Sequence, residues 1–395
     1  MIYLDHAATT RVSDAAFQAM LPYMRDSYGN PGSIHHQGVM TKKAIRLSRM
    51  QIAETIAAAP GEICFTSGGT EADNLAIWGV VNAARQTRRM SGCHVITTQM
   101  EHHAVLHPLK ALEAAGVEVT YLSPKVSEGA IAEGVIDPEQ VRKAIRPDTV
   151  LISIMMANNE IGTIQQISNI GKIARENQIL FHTDAVAATG QLDISVRKMN
   201  VDLMSASAHK FGGLQGTGFL YVREGIVLAP LMNGGGQEHG MRPGTPFVAG
   251  IVAMAAALTD SMAGGEEKQE KISGLRDKLE KGLLMIPGSR VNGACDRSMR
   301  LSGNLNITFE RVQSESLLMM LDQRQICVSA GSACTASDKK ASHVIEALGY
   351  YGKQAEGTIR FSLGADNTEK EIAQTIQAVT ECVNELRSIR LEEFS

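Results

Sequence analysis

Residues 179–222 read ILFHTDAVAATGQLDISVRKMNVDLMSASAHKFGGLQGTGFLYV, and this stretch indicates the fold more clearly than any other part of the chain. It contains three short, largely apolar runs that we predict to be strands, at 179–185, 202–208 and 216–222. Four similar runs precede it, at 62–67, 94–99, 117–123 and 149–157. Helical stretches such as ISNIGKIAREN separate the runs, and this alternation is typical of a parallel, doubly wound sheet. Because several runs are apolar at consecutive positions, we predict a buried, mainly parallel seven-stranded sheet with helices on both faces.

The part of the chain after residue 253 predicts a smaller α+β domain. VAGIVAMAAALTDSM, residues 248–262, indicates a long helix that Gly264 and Gly265 end, and a charged amphipathic segment follows. Strand-like runs then alternate with helical segments, at 304–309, 325–331 and 357–363. We therefore place a large α/β domain at 13–253 and a small domain at 1–12 and 254–395.

Composition narrows the possible partners. The 395 residues include 38 basic and 42 acidic side chains, a formal net charge of −4, so the basic footprint of a nucleic-acid or anionic-membrane binder is missing. Apolar runs such as LISIMMA, residues 151–157, fall well short of the roughly 18 residues that a membrane span needs. The six cysteines form no CxxC pair, which favours free thiols in a reducing compartment. We predict a cytoplasmic protein that acts on a small molecule or another protein, with no direct nucleic-acid or membrane partner.

EICFTSGGTEADNLAIWG, residues 62–79, predicts a strand, a turn at 67–70 and a helix. Such a turn offers free N–H groups and the positive end of a helix dipole to an anion. The alternative is an ordinary capped turn in which Thr70 and Asp73 form a capping box. The turn matches neither GxGxxG nor GxxxxGKT, which disfavours dinucleotides and P-loop nucleotides and leaves a simpler phosphate.

Asp184 and Lys210 follow two successive predicted strands, at the edge where open α/β sheets bind their ligands. A structural ion pair is one explanation. The other is a pyridoxal 5′-phosphate (PLP) site, in which the lysine forms a Schiff base and the aspartate keeps the pyridine nitrogen protonated. The anion-binding turn upstream favours the PLP interpretation.

VSAGSACTASDKK, residues 328–340, surrounds Cys334 with small residues and places two lysines just after it. A lone cysteine is commonly a small buried hydrophobe. Nearby lysines would instead stabilise the thiolate, so a reactive nucleophile is at least as well supported for Cys334. Cys327, in the apolar run QICVS, is better explained by core packing.

Ten motifs, in chain order and from end to end, resemble the NifS/IscS-type cysteine desulfurases. They are YLDHAATT, YGNPGSIHHQG, TSGGTEADN, MEHHAV, NNEIGT, HTDA, SASAHKFGG, GGGQEHGMRPGT, SAGSACTA and IRFSLG. The resemblance implies an aspartate-aminotransferase-like PLP fold and removal of sulfur from L-cysteine, giving L-alanine and an enzyme persulfide. It also implies a homodimer and a sulfur-acceptor protein, with iron–sulfur cluster assembly and tRNA thiolation among the pathways left open.

The resemblance also implies roles for individual residues. Lys210 would form the Schiff base, Asp184 would pair with the pyridine nitrogen, and His102 would stack on the ring and take part in proton transfer. Asn159 would lie near the phenolic oxygen and the substrate, and Arg360 would clamp the substrate carboxylate. The phosphate would be held by Gly69, Thr70, Ser207 and His209, joined by Thr245 of the partner subunit. Cys334, in a loop at about 327–342, would accept the sulfur. No metal is expected.

One position departs from the family pattern. Ala187 stands three residues after Asp184, where the family usually has a glutamine that donates to the phenolic oxygen of the cofactor. We therefore expect a weaker hydrogen bond to that oxygen and a raised pKa of the Schiff base.

Three other functions are weighed against the desulfurase. His103 and His107, spaced i, i+4 with Glu101 nearby, could ligate a metal in a hydrolase, although Pro108 follows and no third ligand is evident. Within PLP enzymes, a selenocysteine lyase or another β-lyase, such as one acting on cysteine sulfinate, would not need Cys334. A non-catalytic PLP-binding partner in sulfur relay is the third, and Ala187 is its only support.

Overall fold

The computed structural model describes residues 1–88, 92–125, 132–331 and 342–392. The strands are β1 (Ile2–Tyr3), β2 (Ile63–Thr66), β3 (His94–Thr98), β4 (Glu118–Leu122), β5 (Thr149–Ser153), β6 (Leu180–Asp184), β7 (Leu203–Ser207), β8 (Gly218–Val222), β9 (Ser289–Asn292), β10 (Asn304–Phe309), β11 (Ile326–Cys327) and β12 (Thr358–Ser362). The helices are α1 (Asp14–Arg25), α2 (His36–Thr55), α3 (Gly69–Arg88), α4 (His103–Ala114), α5 (Pro138–Ala144), α6 (Ile167–Glu176), α7 (Val248–Met262), α8 (Gly265–Leu283), α9 (Ser314–Gln323), α10 (His343–Ala347) and α11 (Glu369–Glu392).

All seven strands predicted between residues 62 and 222 are confirmed, and they form one sheet in the order β2-β8-β7-β6-β5-β3-β4. The pairs among β3, β4, β5, β6 and β7 are parallel, whereas β8 runs antiparallel to both of its neighbours. The carboxyl ends of β5, β6 and β7 therefore meet at one edge of the sheet, which is where the polar motifs of the sequence follow the strands.

Both faces of this sheet are buried, because consecutive residues along each strand belong to two different apolar clusters. Val95 packs into one cluster and Ile96 into the other, and the same division separates Leu203 from Met204. The first cluster contains apolar side chains of α3 and α4, and the second contains side chains of α1, α2, α6 and α7. This arrangement explains the unbroken apolar runs of the sequence.

A second group of elements packs around a separate apolar cluster. Antiparallel strands form a three-stranded sheet in the order β12-β10-β9, and α8, α9 and α11 supply much of its apolar cover. The run predicted as a strand at 325–331 contains only the two-residue strand β11, which pairs with β1 at the start of the chain. The domain boundaries at residues 12/13 and 253/254 stay predictions.

The helix predicted at 248–262 is confirmed with the same bounds, and α8 begins at Gly265 as the glycine pair indicated. In the part of the chain that the structure describes, no single helix has both the length and the apolar character needed to cross a membrane. Only α7 and α8 taken together reach that combination, and they are bent by 76° relative to each other.

Candidate active site

Asp184 and Lys210 lie at the ends of neighbouring parallel strands. Asp184 is the last residue of β6, and Lys210 ends a short 3-10 turn, Ala208–Lys210, directly after β7. The Lys210 Nζ donates hydrogen bonds to the carbonyl oxygens of Ala7 (2.6 Å) and Ala8 (2.8 Å). The ammonium is therefore held by backbone oxygens of the N-terminal segment.

One cavity of about 240 Å³ brings together most of the predicted site residues. Nine of them line it: Gly69, Thr70, His102, Asn159, Asp184, Ser207, His209, Lys210 and Arg360. Among the described residues, Thr245 is the predicted site residue that this cavity lacks. It is exposed and lines a separate cavity of about 180 Å³ with Thr66, Ser67 and Arg242. Cys334 lies outside the described residues.

The N-terminus of α3 closes one end of the cavity. Helix α3 begins at Gly69, so the first N–H groups of the helix have no carbonyl acceptor within it and are free for an anion. A Cβ atom at Gly69 would lie 2.6 Å from Val186 Cγ2, which shows how closely the backbone packs against the loop after β6.

The alternative explanation of this turn, a capping box between Thr70 and Asp73, does not fit, because Thr70 lies inside α3 rather than just before it. In the turn that precedes the helix, the Ser67 N–H instead donates a hydrogen bond to Glu71 Oε2 at 2.7 Å. Asp73 instead turns into the protein, where its Oδ1 lies 3.5 Å from His182 Nε2. Local spacing could not reveal this, because the partner of Asp73 lies on β6.

Three buried carboxyl groups lie close enough together to affect one another's ionisation, and two of them, Asp73 and Asp184, line the cavity. Burial raises the pKa of Asp184 to about 6, although the Val186 N–H and the Lys210 charge act in the opposite direction. Burial also raises the pKa of Glu101 to about 8 and holds that of Asp73 well above its usual range, with the charge of Asp184 adding to both effects. Of the three, Asp184 is the carboxyl group that accepts the Val186 N–H and lies near the Lys210 charge, so it is the one placed to face a cationic ring nitrogen.

His102 caps α4, and this contact sets its tautomer. Its Nδ1 accepts a hydrogen bond from the Ala104 N–H at 3.1 Å. Because a backbone N–H can only donate, Nδ1 is unprotonated and the proton of the neutral ring sits on Nε2. Burial and the nearby Lys210 charge lower the pKa of His102 to about 4, so the ring is neutral at pH 7.

Arg360, on β12, is almost fully buried against the cavity. Its Nη1 donates to the Asn159 carbonyl at 3.0 Å, and its Nη2 donates to Asp5 Oδ1 at 2.9 Å. The third donor, Nε, is also buried and finds no acceptor among the described residues. A buried guanidinium with an unused donor beside a cavity is suited to an anionic ligand such as a carboxylate.

Asn159 is held in place by its neighbour in the chain. The Asn158 side chain donates to the Met100 carbonyl at 3.0 Å and accepts from the N–H groups of Glu160 and Ile161. This fixes the turn after β5 that presents Asn159 to the cavity. The role of Asn158 was not predicted, although the motif NNEIGT contains this residue.

The N-terminal segment, residues 5–10, is the largest part of the site that the sequence analysis left without a role. Asp5 pairs with Arg360, and Ala7 and Ala8 hold Lys210. Thr10 donates to the His209 carbonyl from both its backbone N–H and its side chain, each at 2.9 Å. The motif YLDHAATT was the available signal, but its spacing does not indicate which residues it contacts.

The histidines considered as metal ligands do share a helix. His103 and His107 lie on α4 with ring centroids 4.8 Å apart, and the ring of His343 lies 4.8 Å from that of His103. Within the described residues, no group of three or more His, Cys, Asp or Glu side chains has an arrangement that could hold a metal ion.

The chemistry of the cavity fits PLP. A lysine can bond the aldehyde covalently, a buried carboxyl can face the pyridine nitrogen, and a helix N-terminus packed closely by Gly69 can receive the phosphate. On this fold, such a donor set defines a PLP enzyme built on a mainly parallel seven-stranded sheet.

Comparison with known proteins gives the same class. The family model described as "Aminotransferase class-V" matches residues 2–375. The cysteine desulfurase IscS of Methanosarcina thermophila is 46% identical over 388 residues, which cover 98% of this chain and 93% of that protein. A solved NifS-like protein superposes with a TM-score of 0.88 at 34% identity, covering 97% of this chain and 99% of the other. A structure described as SspA in complex with cysteine has a TM-score of 0.80 at 36% identity and covers 93% of this chain and all of the other.

The chain therefore belongs to the class-V aminotransferase family, whose members use PLP. The resemblance to NifS/IscS-type cysteine desulfurases is confirmed, and so are the predicted fold and cofactor.

Proposed function

We propose that this protein is a PLP-dependent cysteine desulfurase, which converts L-cysteine to L-alanine and carries the sulfur as a persulfide on Cys334. The cavity supplies groups for the cofactor and for the substrate carboxylate, and the chain is 46% identical to a protein named cysteine desulfurase. In the overall reaction one sulfur atom passes from L-cysteine to the Cys334 thiol, so no external oxidant or reductant is required.

One observation carries the proposal for Cys334: Ser342 and His343, which follow the segment that contains it, make contacts next to residues of the cavity. The Ser342 hydroxyl donates to Glu160 Oε2, next to Asn159. The ring of His343 contacts the carbonyl of Glu101, next to His102, at 2.9 Å. On the other side, Gly331 lies beside the same carboxylate, since a Cβ atom there would be 3.2 Å from Glu160 Oε2. The described residues that flank the segment with Cys334 are thus close to Glu160, the neighbour of Asn159, which supports the assignment of the persulfide to Cys334.

Two sets of cavity residues are assigned to PLP, one to its ring and aldehyde and one to its phosphate. We assign the cofactor to Lys210 and Asp184, with Asn159 near the phenolic oxygen. The phosphate is assigned to Gly69, Thr70, Ser207 and His209 at the N-terminus of α3. When bound, PLP supplies an electron sink that makes the Cα proton of an attached amino acid acidic.

The chain's own groups perform the remaining tasks. Arg360 binds and orients the substrate carboxylate through its unused donor. Lys210 is placed to hold and return a proton at its Nζ once the substrate amine has replaced it. His102 presents an Nε2–H to the cavity in its neutral form and therefore acts as a hydrogen-bond donor in the ligand-free conformation. The Cys334 thiolate attacks the substrate sulfur, and L-alanine leaves.

We also propose a homodimer in which Thr245 of the partner subunit completes the phosphate site. Thr245 is exposed and lies outside the cavity of its own chain. Large exposed apolar side chains occur on α1 and α2, namely Phe17, Leu21, Met24, Val39, Met40, Leu47 and Met50. A surface of this kind is suited to a subunit interface. Light scattering of the PLP-loaded protein should give twice the chain mass, and a loaded monomer would contradict the proposal.

A reducing compartment, the cytoplasm, suits this chemistry because Cys334 must be available as a thiol. The described cysteines Cys64, Cys93, Cys295, Cys327 and Cys382 are all free. A sulfur-acceptor protein, of unspecified identity, then removes the persulfide sulfur.

The test measures L-alanine and protein persulfide together. PLP-loaded wild-type protein is mixed with L-cysteine and a reductant, alongside Cys334→Ala and Cys295→Ala. Cys295 is the exposed thiol among the described cysteines, so its variant is the matched control. Wild type and Cys295→Ala should release alanine and form persulfide, and Cys334→Ala should do neither. If Cys334→Ala still releases alanine, the proposed desulfurase function is contradicted and the alternative function, that of a β-lyase, is favoured.

A further inference from the structure

Asp5 and Arg360 form an ion pair that joins the start of the chain to β12. The side chain of Arg360 is 2% exposed and that of Asp5 is 18% exposed, and their Nη2 and Oδ1 atoms are 2.9 Å apart. The carboxylate of Asp5 therefore already compensates the charge of the guanidinium in the ligand-free protein.

The position of Asp5 is fixed independently of this pair. The Tyr3 hydroxyl donates to the Asp5 carbonyl at 3.1 Å and to the Thr9 carbonyl at 2.8 Å. The backbone of Asp5 also bridges to Ser362 on β12, two residues from Arg360. The backbone of Asp5 is therefore held beside β12 by contacts that do not involve the Arg360 side chain.

A substrate carboxylate that binds Arg360 must then share the guanidinium with Asp5 or displace it. Two carboxylates on one guanidinium lie about 6 Å apart, and at an effective dielectric constant of about 20 their repulsion weakens binding about a hundredfold. Partial exposure of Asp5 to solvent reduces this effect, so we expect about tenfold.

We propose that Asp5 is a built-in competitor for the substrate carboxylate: it positions Arg360 and at the same time lowers the affinity of the site for α-amino acids, which lets the product leave. This inference rests on the proposed function, because it takes Arg360 to be the carboxylate clamp. It assigns Asp5 a positioning role that the motif YLDHAATT alone does not indicate.

The test measures binding separately from turnover. L-alanine, the product, is titrated into the PLP-loaded protein and its dissociation constant is read from the visible band of the cofactor. Asp5→Asn removes the charge but keeps an oxygen acceptor for Arg360, so it should bind L-alanine about tenfold more tightly than wild type. KM for L-cysteine should fall, whereas kcat should not rise, because an interaction common to substrate and product is strengthened.

Three controls make the result specific. L-alaninol has no carboxylate, so its affinity should be the same for Asp5→Asn and wild type. Asp366→Asn makes the same charge change at an exposed aspartate in the neighbouring cleft, and it should leave L-alanine binding unchanged. Asp5→Ser is a second variant in case Asp5→Asn folds poorly, and thermal unfolding checks both.

The outcomes distinguish the role of Asp5 as a competitor from the role of Arg360 as the carboxylate clamp. If Arg360→Gln abolishes L-alanine binding and Asp5→Asn binds it no more tightly than wild type, the role of Asp5 is refuted and the clamp stands. If Arg360→Gln binds L-alanine as well as wild type does, the assignment of the clamp itself fails. If Asp5→Asn tightens L-alanine and L-alaninol equally, the effect does not act through the carboxylate, and the role of Asp5 is again refuted.

Discussion

Replacing Gly69 by alanine tests whether the N-terminus of α3 holds the cofactor phosphate. The added Cβ would lie 2.6 Å from Val186 Cγ2 and 3.6 Å from Ser207 Cβ. The first distance is far below ordinary van der Waals contact, so Val186 must move. Val186 lines the cavity, and the space open to it is the space that PLP would occupy.

The magnitude follows from this geometry. In the cofactor-free protein Val186 can shift into the cavity, whereas bound PLP blocks that shift and leaves an overpacked contact. Overpacking typically costs about 1–3 kcal/mol. Gly69→Ala should therefore weaken PLP binding roughly 5- to 150-fold, as measured by titrating the apoprotein with PLP and following its visible absorbance.

Gly274→Ala is the matched control. Gly274 lies inside α8, and a Cβ atom there would meet nothing within 4 Å. This variant should keep the wild-type affinity for PLP and gain up to about 1 kcal/mol in free energy of unfolding, since alanine favours a helix. Wild-type PLP affinity in Gly69→Ala would refute the placement of the phosphate against this turn.

Three further predictions concern protons near the site. The ring of His102 should be neutral at pH 6, with its proton on Nε2, because burial lowers its pKa to about 4 and the Ala104 N–H donates to Nδ1. The measurement is ¹⁵N NMR of the ring nitrogens. A spectrum of the imidazolium or of the Nδ1–H tautomer would contradict this prediction. Ala187→Gln should restore a donor to the phenolic oxygen and lower the pKa of the Schiff base, and a pH titration of the visible band without a downward shift would argue against it. Burial also lowers the pKa of His182 to about 3, whereas in the unfolded chain the pKa of a histidine is near 6.5. Between these two pH values only the unfolded chain binds the proton, so the folded state loses stability as the pH falls from about 6.5 toward 3. Between pH 7 and pH 5, the free energy of unfolding of apo His182→Gln, measured with urea, should therefore fall by about 2 kcal/mol less than that of the wild type. An equal fall in both proteins would disprove the effect.

The seven strands of the main sheet were predictable because each one is a local apolar run covered on both faces. Local spacing does not reveal the contacts of Asp73. Its spacing from Thr70 suits a capping box, but a buried histidine on β6 lies close to its carboxyl group. The strand at 325–331 was predicted too long, because only Ile326 and Cys327 pair as a strand, with the first strand of the chain. Beyond them, Ser329 makes a single isolated bridge to Arg360 on β12.

By itself, the sequence determined the strand-and-helix alternation, the turn at Gly69 before a helix and the two strand ends that carry Asp184 and Lys210. These features depend on residues close together in the chain, so periodicity and motif spacing are sufficient to find them. Only the tertiary structure decided that Asp5 neutralises Arg360, 355 residues away, and that Ala7 holds Lys210, 203 residues away. Such contacts depend on how the N-terminal segment packs against β12 and against the turn after β7, and local patterns do not encode that packing.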